Sequence, residues 1–277
     1  MANTIKPVFY GWQKDSYDNR DYTHLLRAGA GGLPDFFVLD CLPSVRNQGS
    51  LGSCSGFGIG GMLTGVAKQL NVYKEWFSPT WIYNGGRLYG GTLKWDSGAF
   101  PRNCYEFLRD NGTLLEHFRP YVDVLDKTDP TTWVCAREAK NYPILNYFRV
   151  TEGIAGICSA LADGHLISLG SPWYESWLDV PPTGRLPEKY KSIVGGHATF
   201  LYGYNLKKKV VFGQNSWGTS WGNEGRFLMP FSAFDAFKET SGYDAHYVVV
   251  SWGSDSEKKT NTCLGKIIDF FKGIVRK

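Results

Sequence analysis

NQGSLGSC, residues 47–54, is the most informative stretch of this 277-residue chain. Its glycines and serines predict a turn, and an apolar-periodic segment follows at once. A thiol at the start of a helix meets unpaired backbone N–H groups and the positive end of the helix dipole, which favour the thiolate. Cys54 is therefore predicted to be a nucleophile, and Gln48 lies six residues before it.

The segment after Cys54 is predicted to be a helix because apolar residues recur every three or four positions. These residues are Ile59, Met62, Leu63, Val66 and Leu70. The same segment contains five glycines, each of which costs up to about 1 kcal/mol relative to alanine inside a helix. We expect burial to hold this helix, with the glycines allowing close approach to the other half of the molecule. A glycine-rich loop is the alternative.

Two distant motifs supply candidate partners for the thiol. GGHATF, residues 195–200, puts His197 at the entry to an apolar run, and QNSWG, residues 214–218, puts Asn215 after the next strand-like segment. An imidazole can take the proton of a thiol and return it to a leaving amine. An asparagine oxygen can accept a hydrogen bond from the ring and fix its orientation. A buried structural histidine and a turn-capping Gln48 are the alternatives to these roles.

Three motifs in order give the chain a family resemblance: NQGxxGSC at 47–54, GHA at 196–198 and NSWGxxWG at 215–222. The chain resembles papain-like cysteine peptidases in all three, and the likeness extends less sharply from Leu33 to about Phe231. The spacing from Cys54 fits the family range for the histidine and lies slightly beyond it for the asparagine. The resemblance implies an α+β fold in which a helical lobe and an antiparallel β-barrel-like lobe face each other across the active-site cleft.

The resemblance also implies the site residues. Cys54 is expected to be the nucleophile, His197 its base and Asn215 the residue that orients the imidazole. Gln48 is expected to donate to the oxyanion together with the backbone N–H of Cys54. Ser97, Gly98 and Trp217 are expected on the substrate side, and Trp217 and Trp221 are expected to shield the bond between His197 and Asn215 from water.

The chain departs from the family pattern around the predicted nucleophile. Leu51 stands where the family usually has a disulfide-bonded cysteine, so that bridge is absent. Ser55 stands where an aromatic residue usually follows the nucleophile, and Gly196 stands where many relatives carry a polar residue. None of these changes removes a proton-transfer group, so we expect activity at a level that the sequence leaves open.

Three regions are predicted. Residues 1–33 form an N-terminal strap or short pro-like segment, expected to pack on the module near the cleft because several of its aromatic residues need burial. Residues 34–255 form the peptidase module, helical over about 34–140 and strand-rich over about 141–255. Residues 256–277 form a linker and a basic amphipathic C-terminal helix, whose expected use is docking on the domain or contact with a membrane surface or partner. Strands are predicted at 144–150, 166–170, 197–204, 209–213 and 246–252.

Composition narrows the remaining possibilities. The net charge is +4, and six cysteines are scattered without the spacing of a zinc site. We expect no metal, no cofactor and no nucleic-acid partner, and we expect a monomer. The N-terminus lacks a signal-peptide core, and the missing bridge cysteine favours a reducing compartment, so an intracellular location is expected, with a non-classical export route as an alternative.

These features together predict a cysteine endopeptidase that hydrolyses peptide bonds through a thioester acyl-enzyme. Two alternatives stay open. The same scaffold could catalyse another acyl transfer, such as deamidation, transamidation or isopeptide cleavage, or the chain could be a weakly active homologue that serves as a binding module.

Overall fold

A computed structural model describes residues 11–24, 32–72 and 75–252. Its α-helices are α1 (Cys54–Gln69), α2 (Pro79–Tyr89), α3 (Pro101–Asn111), α4 (Gly153–Ala162) and α5 (Ser232–Lys238). Its strands are β1 (Phe36–Val38), β2 (Ile144–Arg149), β3 (Ile167–Tyr174), β4 (Ile193–Asn205), β5 (Val210–Gln214), β6 (Arg226–Pro230) and β7 (Asp244–Val250). Short 3-10 helices lie at Glu116–Phe118, Pro130–Thr132, Val134–Asn141 and Glu175–Trp177.

The strands form one antiparallel sheet in the order β2-β7-β3-β4-β5-β6, and β1 pairs with the far end of β4. The sheet does not close into a barrel within the described residues, so the α+β fold with an antiparallel sheet is confirmed but closure is not. The edge strand β6 does not meet β2. It instead forms a bridge to a loop, where Arg185 lies beside Leu228.

The five predicted strands are confirmed with shifted ends, and two strands and two helices were missed. Strand β1 is only three residues long, which is too short for an alternating pattern to be visible. Helices α4 and α5 lie within the half that was predicted to be strand-rich. Their few turns are held by packing, since isolated helices of this length are marginal in water.

Helix α1 is confirmed, and the glycine-rich loop alternative is wrong. Almost all of its residues are buried, and Gly58, Gly61 and Gly65 face the sheet, whereas Gly56 and Gly60 face α2 and the segment before it. A Cβ added at Gly58 would lie 2.9 Å from the Thr199 carbonyl oxygen, and one added at Gly65 would lie 2.3 Å from the Leu166 side chain. These glycines therefore let the helix backbone lie directly against β3 and β4, which brings the N-terminus of α1 next to His197.

The described part of the N-terminal region, residues 11–24, crosses both halves of the molecule. Trp12 N donates to Gly196 O at 3.1 Å on β4, and Gln13 N donates to Ala99 O at 3.3 Å before α3. Farther along, His24 N donates to Arg149 O at 2.8 Å at the end of β2. From here on, the strap means residues 11–24, the described part of the predicted N-terminal segment 1–33.

The predicted C-terminal amphipathic helix lies outside the described residues. Among those that are described, no helix has the length and apolar character needed to cross a membrane.

Candidate active site

Cys54 is the first residue of α1 and is fully buried between the two halves. Cys54 packs against Trp12 and Ala198, and the backbone N–H groups of Ala198, Gly11 and Ser55 act to lower the pKa of its thiol. Ala198 directly follows His197 on β4, so the thiol lies one residue from the predicted base. Gly11 belongs to the strap, so the strap touches the nucleophilic atom itself.

His197 and Asn215 meet as predicted. Their Nε2 and Oδ1 atoms are 2.7 Å apart, and both residues are buried. The ring of Trp217 lies 4.8 Å from the His197 ring, centre to centre, and the ring of Trp173 lies 4.7 Å from it. Trp221 packs on Trp217 and Trp173 rather than on the imidazole. Trp173 comes from β3 and carries no motif, so the sequence did not reveal it.

Gln48 is buried and links the two halves beside this pair. Its Nε2 donates to Leu51 O at 2.9 Å, and its Oε1 accepts from Ser216 Oγ at 2.7 Å. Its backbone N–H donates to Ser216 O at 2.8 Å. Because Ser216 follows Asn215, the turn that carries Gln48 is tied directly to the residue that orients His197. A side-chain amide has two N–H donors, and the Leu51 carbonyl uses one.

Two carboxylates hold the turn between Gln48 and Cys54. Asp96 accepts from Gly52 N at 3.0 and 3.1 Å and also accepts from the Tyr83 hydroxyl. Asp123 accepts from Ser50 N at 2.9 and 3.0 Å and from Leu51 N at 3.1 Å. These hydrogen bonds fasten the segment in which Leu51 replaces the usual bridge cysteine. Asp96 adjoins the Ser97-Gly98 motif, and that neighbourhood is the only sequence signal that pointed to it.

Burial makes the thiol and the imidazole neutral in this arrangement. It raises the pKa of Cys54 to about 11, against the opposing effect of the N–H donors, and it lowers the pKa of His197 to about 4. In the strap-covered state, burial therefore opposes the thiolate that the helix N-terminus favours. Excluding water penalises both charged forms more than the local dipoles favour them.

The substrate-side residues lie along the strap. Gly98 has φ +74°, and a Cβ there would lie 2.1 Å from Gly11 O. Ser97 O accepts a hydrogen bond from the Gln13 side chain. The strap pairs its backbone with the next residue, because Ala99 N donates to Gly11 O at 2.7 Å and Ala99 O accepts from Gln13 N.

The described residues contain no group of three or more His, Cys, Asp or Glu side chains arranged to hold a metal ion. The described cysteines are all free thiols.

Comparison with known proteins agrees with this fold and geometry. The chain matches the papain family of cysteine proteases over residues 39–241. It is 31% identical to a peptidase C1-like protein of Acanthamoeba polyphaga mimivirus, across 72% of this chain and 69% of that one. It is 26% identical to the cathepsin B-like CP3 of Giardia intestinalis, across 68% of this chain and 64% of that one. The chain belongs to the papain family.

Solved structures agree with the assignment. Xylellain, a cysteine protease from Xylella fastidiosa, superposes with a TM-score of 0.79 at 26% identity, over 89% of this chain and 98% of that one. The procathepsin B S9 of Trypanosoma congolense superposes with a TM-score of 0.70 at 12% identity, over 89% and 88% of the two chains. The protein is a cysteine peptidase that acts on peptide or protein substrates.

Proposed function

We propose that this peptidase is an endopeptidase that uses Cys54 as nucleophile, His197 as base and acid, and Asn215 as the orienting residue. The observation that carries the assignment is the 2.7 Å contact between His197 and Asn215 beside a thiol at the N-terminus of α1. This arrangement supplies a nucleophile, a base and an orienting group in one buried place.

Catalysis would begin when the strap leaves and water and substrate enter. His197 takes the thiol proton, and the Cys54 sulfur attacks the peptide carbonyl carbon. The second N–H of the Gln48 amide and the backbone N–H of Cys54 stabilise the oxyanion, a contribution of about 2.7–4 kcal/mol for each such donor. The C–N bond then breaks as His197 protonates the amine, and water hydrolyses the thioester with His197 as base.

We also propose that the strap inhibits the enzyme while it is docked. Trp12 of the strap packs against Cys54, and the strap group that acts on the thiol pKa is the Gly11 N–H, not a carbonyl carbon. The nucleophile therefore faces a group that it cannot attack. The strap uses the same Ala99 backbone groups that an extended substrate would pair with. Substrate and strap thus compete for one cleft.

The catalytic assignment is tested with Cys54→Ala and Cys158→Ala in the full chain. Cys158 is a second buried thiol, on α4, far from the site in the sequence and the fold. Losing the nucleophile should reduce peptide hydrolysis by a factor of at least about 10⁴, by analogy with other nucleophile deletions. Hydrolysis should continue in Cys158→Ala, and an active-site epoxide should label only Cys54.

Residual hydrolysis near the parent rate in Cys54→Ala would refute the assignment. Epoxide labelling of Cys54 without hydrolysis of any unstructured protein would leave the thiol reactive but would refute the endopeptidase proposal.

A further inference from the structure

A side chain of the strap fills a pocket beside the nucleophile. Trp12 directly follows Gly11 and pairs with Ala99, and its side chain is 6% exposed. It contacts Cys54 and Ala198 and lies against β3 and β4. The pocket therefore holds the strap residue that directly follows Gly11, whose N–H acts on the Cys54 thiol.

Two glycines make the pocket wide enough for an indole. A Cβ added at Gly170 would lie 2.1 Å from Trp12 Nε1, and one added at Gly196 would lie 2.5 Å from the Trp12 ring. Real Cβ atoms do not approach so closely. Any side chain at Gly170 or Gly196 would therefore narrow the pocket around the indole. This gives a physical reason for the glycine at 196, where many relatives carry a polar residue.

The carboxylate of Asp244 lies at the bottom of the pocket. Asp244 Oδ2 accepts from Trp12 Nε1 at 3.0 Å and from Asp15 N at 2.8 Å, while Asp244 Oδ1 accepts from Arg149. Trp12 and Asp15 both belong to the strap. When the strap leaves, Oδ2 loses two donors inside a largely buried pocket, and an unsatisfied buried carboxylate oxygen is costly. A bound substrate that supplies a donor at this depth removes that cost.

The charges around Asp244 decide which donor suits it. Arg149 pairs with Asp244 and with Asp21, and Arg102 also pairs with Asp21. Asp15 and Asp21 leave with the strap, so Arg102 then loses both of its carboxylate partners and Arg149 keeps only Asp244. His246, which lies 3.9 Å from Asp15, is fully buried, and burial lowers its pKa so that it stays neutral. The net positive charge disfavours a lysine or arginine side chain and favours a neutral donor.

We propose that this pocket, formed by Ala99, Gly170, Gly196, Ala198 and Asp244, selects peptide substrates with tryptophan at the residue that pairs with Ala99. The selection deepens the proposed function and rests on it. Asp244 is the specificity-determining residue, and the two glycines set the permitted size.

The test uses fluorogenic peptides X-Gly-coumarin and Gly-X-coumarin, with an N-terminal acyl group and the full-length enzyme. X is Trp, 3-benzothienylalanine, Leu or Arg. Benzothienylalanine has the shape of tryptophan with sulfur in place of the N–H. All substrates need the same strap-free enzyme, so ratios of kcat/KM cancel the strap's occupancy.

In the X-Gly series, kcat/KM for the Trp peptide should exceed that for the benzothienylalanine peptide by about tenfold. This is the size expected for one hydrogen bond to a charged acceptor. The ratio of kcat/KM for the Trp peptide to that for the Arg peptide should be larger still. In the Gly-X series, kcat/KM should not follow this order of side chains. Preference for Arg over Trp, or equal rates for Trp and benzothienylalanine, would overturn the proposal while leaving the peptidase assignment intact. Failure to cleave any peptide even in Trp12→Ala, where the strap is released, would instead refute the proposed function.

Two variants locate the effect. Gly170→Ala should lower kcat/KM for the Trp peptide relative to the Leu peptide and so remove the preference, and epoxide labelling of Cys54 reports whether the variant folds. Asp244→Asn should make kcat/KM equal for the Trp and benzothienylalanine peptides. Asp235→Asn, on the exposed face of α5, is its control. An unchanged preference for Trp over Leu in Gly170→Ala would place the selection elsewhere.

Discussion

Two segments lie against Cys54, and carboxylates hold both of them. The turn at 47–53 is fastened by Asp96 and Asp123, which lie in the same half of the molecule. The strap is fastened by Asp244 in the sheet, and it brings its own carboxylate, Asp15, into contact with the backbone of Arg102. The turn is thus part of the site, whereas the strap is a separate segment whose attachment depends on buried ionisable groups.

The turn needs less stabilisation to stay in place than the strap does. The turn continues directly into α1, so its hydrogen bonds need to overcome little chain entropy. The strap reaches the cleft from a separate part of the chain, and its ordering must be offset mainly by Trp12 and the Asp244 contacts.

The largest expected effect comes from breaking the strap at Trp12. Trp12→Ala should raise activity on small peptides by about 100-fold, because losing a large buried aromatic side chain costs roughly 3–5 kcal/mol. Initial rates and the rate of epoxide labelling of Cys54 measure it. Tyr17→Ala is the matched control, since Tyr17 lies in the same strap and is 87% exposed. Equal activity in both variants would show that the strap does not inhibit.

A smaller effect is expected from breaking the turn at Asp96. Asp96→Ala should lower kcat by about tenfold with little change in KM, because hydrogen bonds to a charged acceptor contribute about 1.5–3 kcal/mol. The loss should be the same with and without reductant, since the described cysteines are free thiols. Asp235→Ala serves as the exposed control. A raised KM at constant kcat would mean that Asp96 acts on substrate binding and not on the oxyanion turn.

The smallest effect concerns pH and separates the two segments. Burial and the neighbouring Asp244 raise the pKa of Asp15 to about 8 from its ordinary value of 3.8. The docked strap therefore holds a proton that the released strap gives up. The contribution of Asp15 to docking is fully present below about pH 4 and is lost as the pH rises through about 8.

Asp15→Asn removes this titration while its amide oxygen can still accept from Arg102 N. The activity of the parent relative to Asp15→Asn should rise by about tenfold between pH 7 and pH 9. The pKa values of His197 and His246 are lowered by burial, so both stay neutral across this range. A flat ratio would show that Asp15 does not control release.

Much of the site was readable from the sequence because its chemistry is local. Cys54, His197, Asn215 and Gln48 lie in motifs whose neighbours specify a helix start, a strand and a turn. Trp173, Ser216 and Asp244 were not found, because each acts through a partner that is distant in the chain. The effect of burial on the pKa of Cys54 was not visible either, since the helix dipole is a local property and the exclusion of water by the strap is not.

The sequence by itself determined the family, the long buried helix and the order of the reactive groups, because periodicity and motif chemistry are encoded over short stretches. Three features emerge only on folding: the sheet is open within residues 11–24, 32–72 and 75–252, a tryptophan fills the pocket beside the thiol, and Asp244 lies at the bottom of that pocket. Those features depend on which distant surfaces come into contact, and burial at such contacts sets both the available space and the pKa of each ionisable group.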